Sequence, residues 1–196
     1  MNLPNRLTIA RILAIPFFIA CFYLPDWVLV RLLGAEILVK NVVAAVIFIL
    51  AYITDMLDGR IARKRGIVTD FGKLMDPIAD KLLTASCMIM LIGRGLMSVC
   101  DWLMPIFTII VTAREFLVSG IRLVAASKGN VLAAGTLGKI KTTLQSIALP
   151  VVMIAGPVCR AIGVPIDFIL LAASVAMTIW SGADYAIRNR EVFKAE

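Results

Sequence analysis

Long apolar stretches alternate with short polar ones along the whole chain, near residues 7–24, 39–58, 74–93, 102–126, 142–158 and 164–187. Most approach the roughly 20 apolar residues that a helix needs to cross the hydrocarbon of a bilayer. The pattern therefore predicts an all-α, polytopic membrane protein with six transmembrane helices and both termini on one side. The connection at 25–38 is long enough to hold a short interfacial helix. No repeat, linker or low-complexity tract interrupts the pattern, so residues 1–196 are expected to form one membrane domain. The first apolar stretch carries Arg11 and Pro16 and runs straight into Pro25, unlike a cleaved leader, so the N-terminus is expected to be retained.

Composition sharpens this picture. Hydrophobic residues make up 61% of the chain, and the mean hydropathy is +0.95, too apolar for an ordinary soluble domain. The net charge of +7 sits mostly between apolar stretches rather than along an aromatic-studded face, which argues against nucleic acid as a partner. Under a six-helix count one side of the membrane receives Arg6, Arg60, Arg63, Lys64, Arg65, Lys73, Lys128, Lys139, Lys141, Arg188, Arg190 and Lys194. The other receives only Arg31, Lys40, Arg94 and Arg160. The cation-rich side is expected to be cytoplasmic, at a bacterial-type inner membrane. Cys21, Cys87, Cys100 and Cys159 form no CxxC pair and histidine is absent, so zinc sites and disulfides are disfavoured and all four thiols are expected to be buried.

Charged residues also intrude into the apolar stretches: Arg11, Asp55, Asp58, Asp76, Asp80, Lys81, Arg114, Glu115 and Arg122. An ionised group facing lipid costs a few kcal/mol or more, so these should line a polar cavity open to the cytoplasm. Helical spacing puts Asp55 with Asp58, and Asp76 with Asp80, on common faces. Four converging carboxylates would repel by about 4 kcal/mol per close pair, which a divalent cation would remove. A divalent-cation transporter would also need intramembrane acids, but these cluster at one end instead of crossing the bilayer.

The segment DMLDGRIARKRGIVTDFGKLMDPIAD, residues 55–80, follows the pattern D-x2-D-G-x2-A-R-x8-G-x3-D-x3-D through Asp55, Asp58, Gly59, Ala62, Arg63, Gly72, Asp76 and Asp80. In this it resembles the CDP-alcohol phosphotransferase family. The resemblance implies a six-helix membrane enzyme, usually a homodimer, that transfers a CDP-linked phosphatidyl group to an alcohol and releases CMP. It implies that Asp55, Asp58, Asp76 and Asp80 bind metal, Mg2+ or else Mn2+, as a pair of ions, with Asp80 also the base for the attacking hydroxyl. Gly59, Ala62, Arg63 and Gly72, with Asp55 and Asp58, would bind CDP-diacylglycerol. Asn5, Thr8 and Arg11 share one helix face, and Thr8 is a candidate contact to the same substrate.

AREFLVSGIRLVAASKG at 113–129, GKIKTTLQ at 138–145 and NLPNRLTIARI at 2–12 resemble the members of that family whose acceptor is glycerol 3-phosphate. The implied products are phosphatidylglycerophosphate and CMP, on the route to phosphatidylglycerol and cardiolipin. Lys81, Arg114, Arg122, Lys139, Lys141 and Thr142 are then candidates for the acceptor's phosphate, since a dianion calls for an excess of cations. Inositol phosphate, serine or phosphatidylglycerol would be the alternative acceptors for the same chemistry.

Overall fold

Each apolar stretch becomes a helix, and most helices run past the end of the stretch that announced them. The computed structural model describes residues 3–65, 70–127, 132 and 135–190, with side-chain surroundings for 8–54, 56, 78–127, 132 and 135–190. The order is α1 Leu3–Cys21, strands β1 Val28–Leu32 and β2 Ala35–Leu38, α2 Val39–Arg65, α3 Asp70–Leu91, a 3-10 turn Asp101–Leu103, α4 Met104–Ser127, α5 Thr136–Ile162 and α6 Ile166–Arg188. Hydropathy marks only the part of a helix that avoids water, whereas backbone hydrogen bonding continues into polar turns. α2 therefore carries on through the basic run to Arg65. α5 starts six residues ahead of its apolar stretch, on the extended backbone of Gly135.

Among the described residues, α5 and α6 are long and apolar enough to cross a membrane by length and composition, while α1 and α2 contain shorter apolar lengths, Thr8–Cys21 and Val39–Thr54. Phe17, Ile109, Phe116, Leu123 and Trp180 all stand more than two-thirds exposed on helix exteriors. Such an outer surface is unfavourable in water. Inside, Phe18, Phe48, Met88, Leu149, Met153 and Leu171 are almost wholly buried in one core shared by the helices. Phe18 meets Phe22 edge-on at 5.3 Å and Phe48 at 6.4 Å, joining α1 to α2.

The connection at 25–38 is a β-hairpin and not the expected interfacial helix. Leu33 and Gly34 both take positive φ, 51° and 84°, the backbone of a tight hairpin turn. Arg31 pairs across the strands with Glu36 at 2.8 Å, and valines supply β propensity. β1 is exposed along its length, while Ala35 of β2 is buried.

At the same end of the bundle a polar seam ties the α3–α4 connection to α5 and α6. Asp167, wholly buried, accepts the Ser98 backbone N–H at 2.7 Å and also the Ser98 hydroxyl. Arg160 donates to the carbonyls of Gly95 at 2.6 Å, Met97 at 2.5 Å and Ser98 at 3.3 Å. Asp101 accepts the N–H groups of Gly95 and Met97. Arg94 donates to the Phe22 carbonyl and lies 5.4 Å from the Phe22 ring centre, so α1 is included. Gly156 permits this closeness, because a Cβ there would overlap the Leu96 carbonyl. Cys21, Cys87 and Cys159 are buried as expected, but Cys100 is exposed, since it sits in this connection with φ 52°.

Asp167→Ala would strand the buried Ser98 N–H, a loss of about 2 kcal/mol. The melting temperature in detergent should fall by about 5 °C. An unchanged melting curve would show that the seam contributes nothing to stability.

Candidate functional site

The opposite end of the bundle is open. A cavity of about 430 Å3 lies among the start of α5, the later turns of α4, the α6 residue Tyr185, and Tyr52, Met56, Asp80 and Lys81 of α2 and α3. α4 presents Arg114, Val118 and Arg122 to it, four residues apart and so stacked along one face. α5 presents Gly135, Gly138, Lys139 and Thr142 at the same kind of spacing. Asp80 and Lys81 are half-buried at its wall. The described lining carries the cations Lys81, Arg114, Arg122 and Lys139 against the carboxylates Asp80 and Glu115.

Of the residues expected from sequence, the fold thus brings Asp80, Lys81, Arg114, Arg122, Lys139 and Thr142 to one cavity. Thr142 donates its proton to the Gly138 carbonyl at 2.9 Å, so an incoming oxyanion would have to redirect it. Lys141 is not in the lining. It is 4% exposed and ion-paired with Glu115, which holds it behind the wall. Thr8 is buried on α1 and is not among the lining residues. Asp55, Asp58, Gly59, Ala62, Arg63, Gly72 and Asp76 fall within the helical spans of α2 and α3, but their surroundings lie outside the described residues.

The cations are held by Glu115, expected from sequence to line the cavity, and by serine, glycine and tyrosine residues that the sequence reading did not assign to the site. Glu115 accepts from Arg114 Nη1 at 3.1 Å and from Lys141. Arg114 Nη2 donates to Ser181 Oγ at 3.1 Å, and its buried Nε has no partner among the described residues. Gly182 leaves room for this arginine, since a Cβ there would stand 2.9 Å from Arg114 Cγ. Ser119 accepts from Lys81 and passes its own proton to the Glu115 carbonyl at 2.6 Å. Tyr185 accepts from Arg122 Nε at 3.2 Å. Glu115 was visible as an acid inside an apolar stretch beside Arg114; Ser181, Gly182 and Tyr185 carry no such signal, because one sequence does not show which helix packs on which.

A helical bundle with an apolar exterior, and a cation-rich cavity with an aspartate at its wall, is the arrangement that a membrane enzyme acting on phosphate-bearing compounds would need. The chain belongs to the CDP-alcohol phosphatidyltransferase family, whose model matches residues 1–180. It is 39% identical to the CDP-diacylglycerol–glycerol-3-phosphate 3-phosphatidyltransferase of Bacillus subtilis (strain 168), over 98% of this chain and 97% of that one. It is 41% identical to the protein of the same name from Rickettsia bellii (strain RML369-C), over 94% and 93%. With CDP-diacylglycerol–glycerol-3-phosphate 3-phosphatidyltransferase 2 of Arabidopsis thaliana it shares 34% identity, over 92% of this chain and 76% of that one.

Glu115→Gln should leave Lys141 a buried cation without its counter-ion, a cost of about 3 kcal/mol. Thermal melting should show a drop of several degrees, most of it restored when Lys141→Met is added. A melting temperature that the second substitution does not raise would mean that the pair is not what Glu115 supports.

Proposed function

We propose that this chain is an integral membrane transferase that moves the phosphatidyl group of CDP-diacylglycerol to glycerol 3-phosphate, giving phosphatidylglycerophosphate and CMP. The observation that carries the proposal is the meeting of Asp80 with Lys81, Arg114, Arg122 and Lys139 in one cavity. Relatives named for that reaction match nearly from end to end. An acceptor with its own phosphate needs such an excess of cations; serine or free inositol does not.

In this reading the acceptor phosphate lies against Arg114, Arg122 and Lys139, with Lys81 at the side next to Asp80. Lys141 contributes through Glu115 from behind. The acceptor hydroxyl then faces Asp80, which takes its proton as the oxygen bonds to the phosphorus that bears diacylglycerol. The bond from that phosphorus to the bridging oxygen breaks, and CMP leaves with the electron pair. Holding the hydroxyl in line is the larger part of the catalysis, since a metal-bound aspartate is a weak base. Thr8, Gly59, Ala62, Arg63 and Gly72, with Asp55 and Asp58, form the CDP-diacylglycerol side.

The donor set of Asp55, Asp58, Asp76 and Asp80 is all oxygen, and Asp80 stands at the cavity wall, which fits a hard divalent cation, Mg2+ or Mn2+ and as a pair of ions. When bound, such ions neutralise the pyrophosphate charge and stabilise the leaving phosphate. The chain is read as one domain with six membrane-crossing helices, paired as a homodimer. The cavity lies toward the basic final turns of α2, with Arg60, Arg63, Lys64 and Arg65, and toward the end of α6 with Arg188, so in this reading it and both termini face the cytoplasm of a bacterial-type inner membrane.

CMP release from CDP-diacylglycerol and Mg2+ by protein in detergent tests this reading. Release should require glycerol 3-phosphate and not follow inositol phosphate, serine or phosphatidylglycerol. Asp80→Asn should bind CDP-diacylglycerol yet lose turnover by about a thousandfold. Release with a different acceptor would discard the acceptor assignment, and near-normal turnover in Asp80→Asn would discard the base.

A further inference from the structure

α6 contributes none of the residues expected from sequence, yet it carries the partners of both arginines of α4. Ser181 and Gly182 accommodate Arg114; Tyr185, one turn further on, meets Arg122. The Arg122 contact is the more telling. Its Nε donates to the Tyr185 hydroxyl at 3.2 Å while its guanidinium carbon sits 5.4 Å from the centre of the same ring. Two contacts with one side chain restrain where the guanidinium sits, and the hydrogen bond occupies its inner edge. The outer edge, Nη1 and Nη2, takes no partner among the described residues, and Arg122 is an exposed residue of the cavity lining. Tyr185 is itself immobilised, 8% exposed and packed with Val118 and Ile121.

We infer that Tyr185 is a positioning residue that turns the forked edge of Arg122 toward the acceptor's phosphate, making α6 a determinant of acceptor choice. A free arginine would sample many rotamers and lose that freedom on binding. One already oriented on tyrosine presents two parallel N–H donors matched to a phosphate's oxygens. The inference rests on the acceptor assignment above, but the clamp itself requires only a phosphate-bearing ligand.

A double-mutant cycle in the full-length protein, read by CMP release, tests it. Tyr185→Phe keeps the ring and its packing and removes only the acceptor oxygen. It should raise the apparent KM for glycerol 3-phosphate about tenfold, as expected for one hydrogen bond to a charged group, with kcat and the KM for CDP-diacylglycerol within about twofold of wild type. In an Arg122→Ala background the same substitution should have no further effect. Tyr185→Gln, which returns an acceptor oxygen without the ring, should recover part of the loss. The same cycle is read a second way, as inhibition by inorganic phosphate with whichever acceptor supports turnover, and Tyr185→Phe should weaken that inhibition about tenfold. Phosphate inhibition that behaves so while glycerol 3-phosphate proves not to be the acceptor would retire the acceptor and keep the clamp. An unchanged KM and phosphate inhibition, or a penalty of equal size with and without Arg122, would overturn the clamp, as would a wild type insensitive to phosphate.

Discussion

A charge placed in an apolar helix bundle has to find a partner or a route to water, and this one requirement organises the molecule. Arg94, Asp101, Arg160 and Asp167 meet it at one end by bonding to neighbouring backbone and side-chain groups. Lys81, Arg114, Arg122 and Lys139 meet it at the other by facing a cavity, with only part of their hydrogen-bonding capacity used inside the protein. The same chemistry therefore gives a closed end and an open end. The closed end holds helix ends together; the open end is left with charge to offer.

The closed end also bears on how well the open one is defined. Asp167 and Arg160 bind the α3–α4 connection to the end of α5 and the start of α6. Gly156 brings that connection into direct contact with α5. Side chains roughly ten to twenty residues away on α4, α5 and α6 then emerge from helices whose relative rotation is already set. A site assembled from α4, α5 and α6 depends on this, because its geometry is only as precise as the elements that carry it.

Hydropathy alone located the apolar body of each of the six helices, because lipid-like composition and helix length are both local properties. Their true ends were less legible: α2 and α5 run on as polar helix where the hydropathy signal has stopped. The hairpin at Val28–Leu38 escaped because Leu33 and Gly34 are not a conspicuous turn pair, and its register depends on the cross-strand match of Arg31 with Glu36. For the cavity lining, charge inside apolar stretches was a sufficient guide to Asp80, Lys81, Arg114 and Arg122. It misplaced Lys141, which looks equivalent to Lys139 in sequence but lies two residues on and so turns inward to Glu115. The residues that hold the cations, Ser119, Ser181, Gly182 and Tyr185, are uncharged and ordinary in composition. Their roles arise only when α3 and α6 pack on α4.

That packing separates two demands that a phosphatidyl-transfer site makes at once. The nucleotide side must be common to enzymes with different acceptors, and the proposed function assigns it to the contiguous motif from Asp55 to Asp80 on α2 and α3. The acceptor side must differ, and the same proposal assigns it to the cavity lined by α4, α5 and α6, three helices that meet only in the folded state. Changing a supporting hydroxyl or the room beside a glycine on α6 would re-aim an arginine on α4 without touching the aspartates. A division of this kind lets the chemistry stay fixed while the choice of acceptor is set by how two other helices hold their cations.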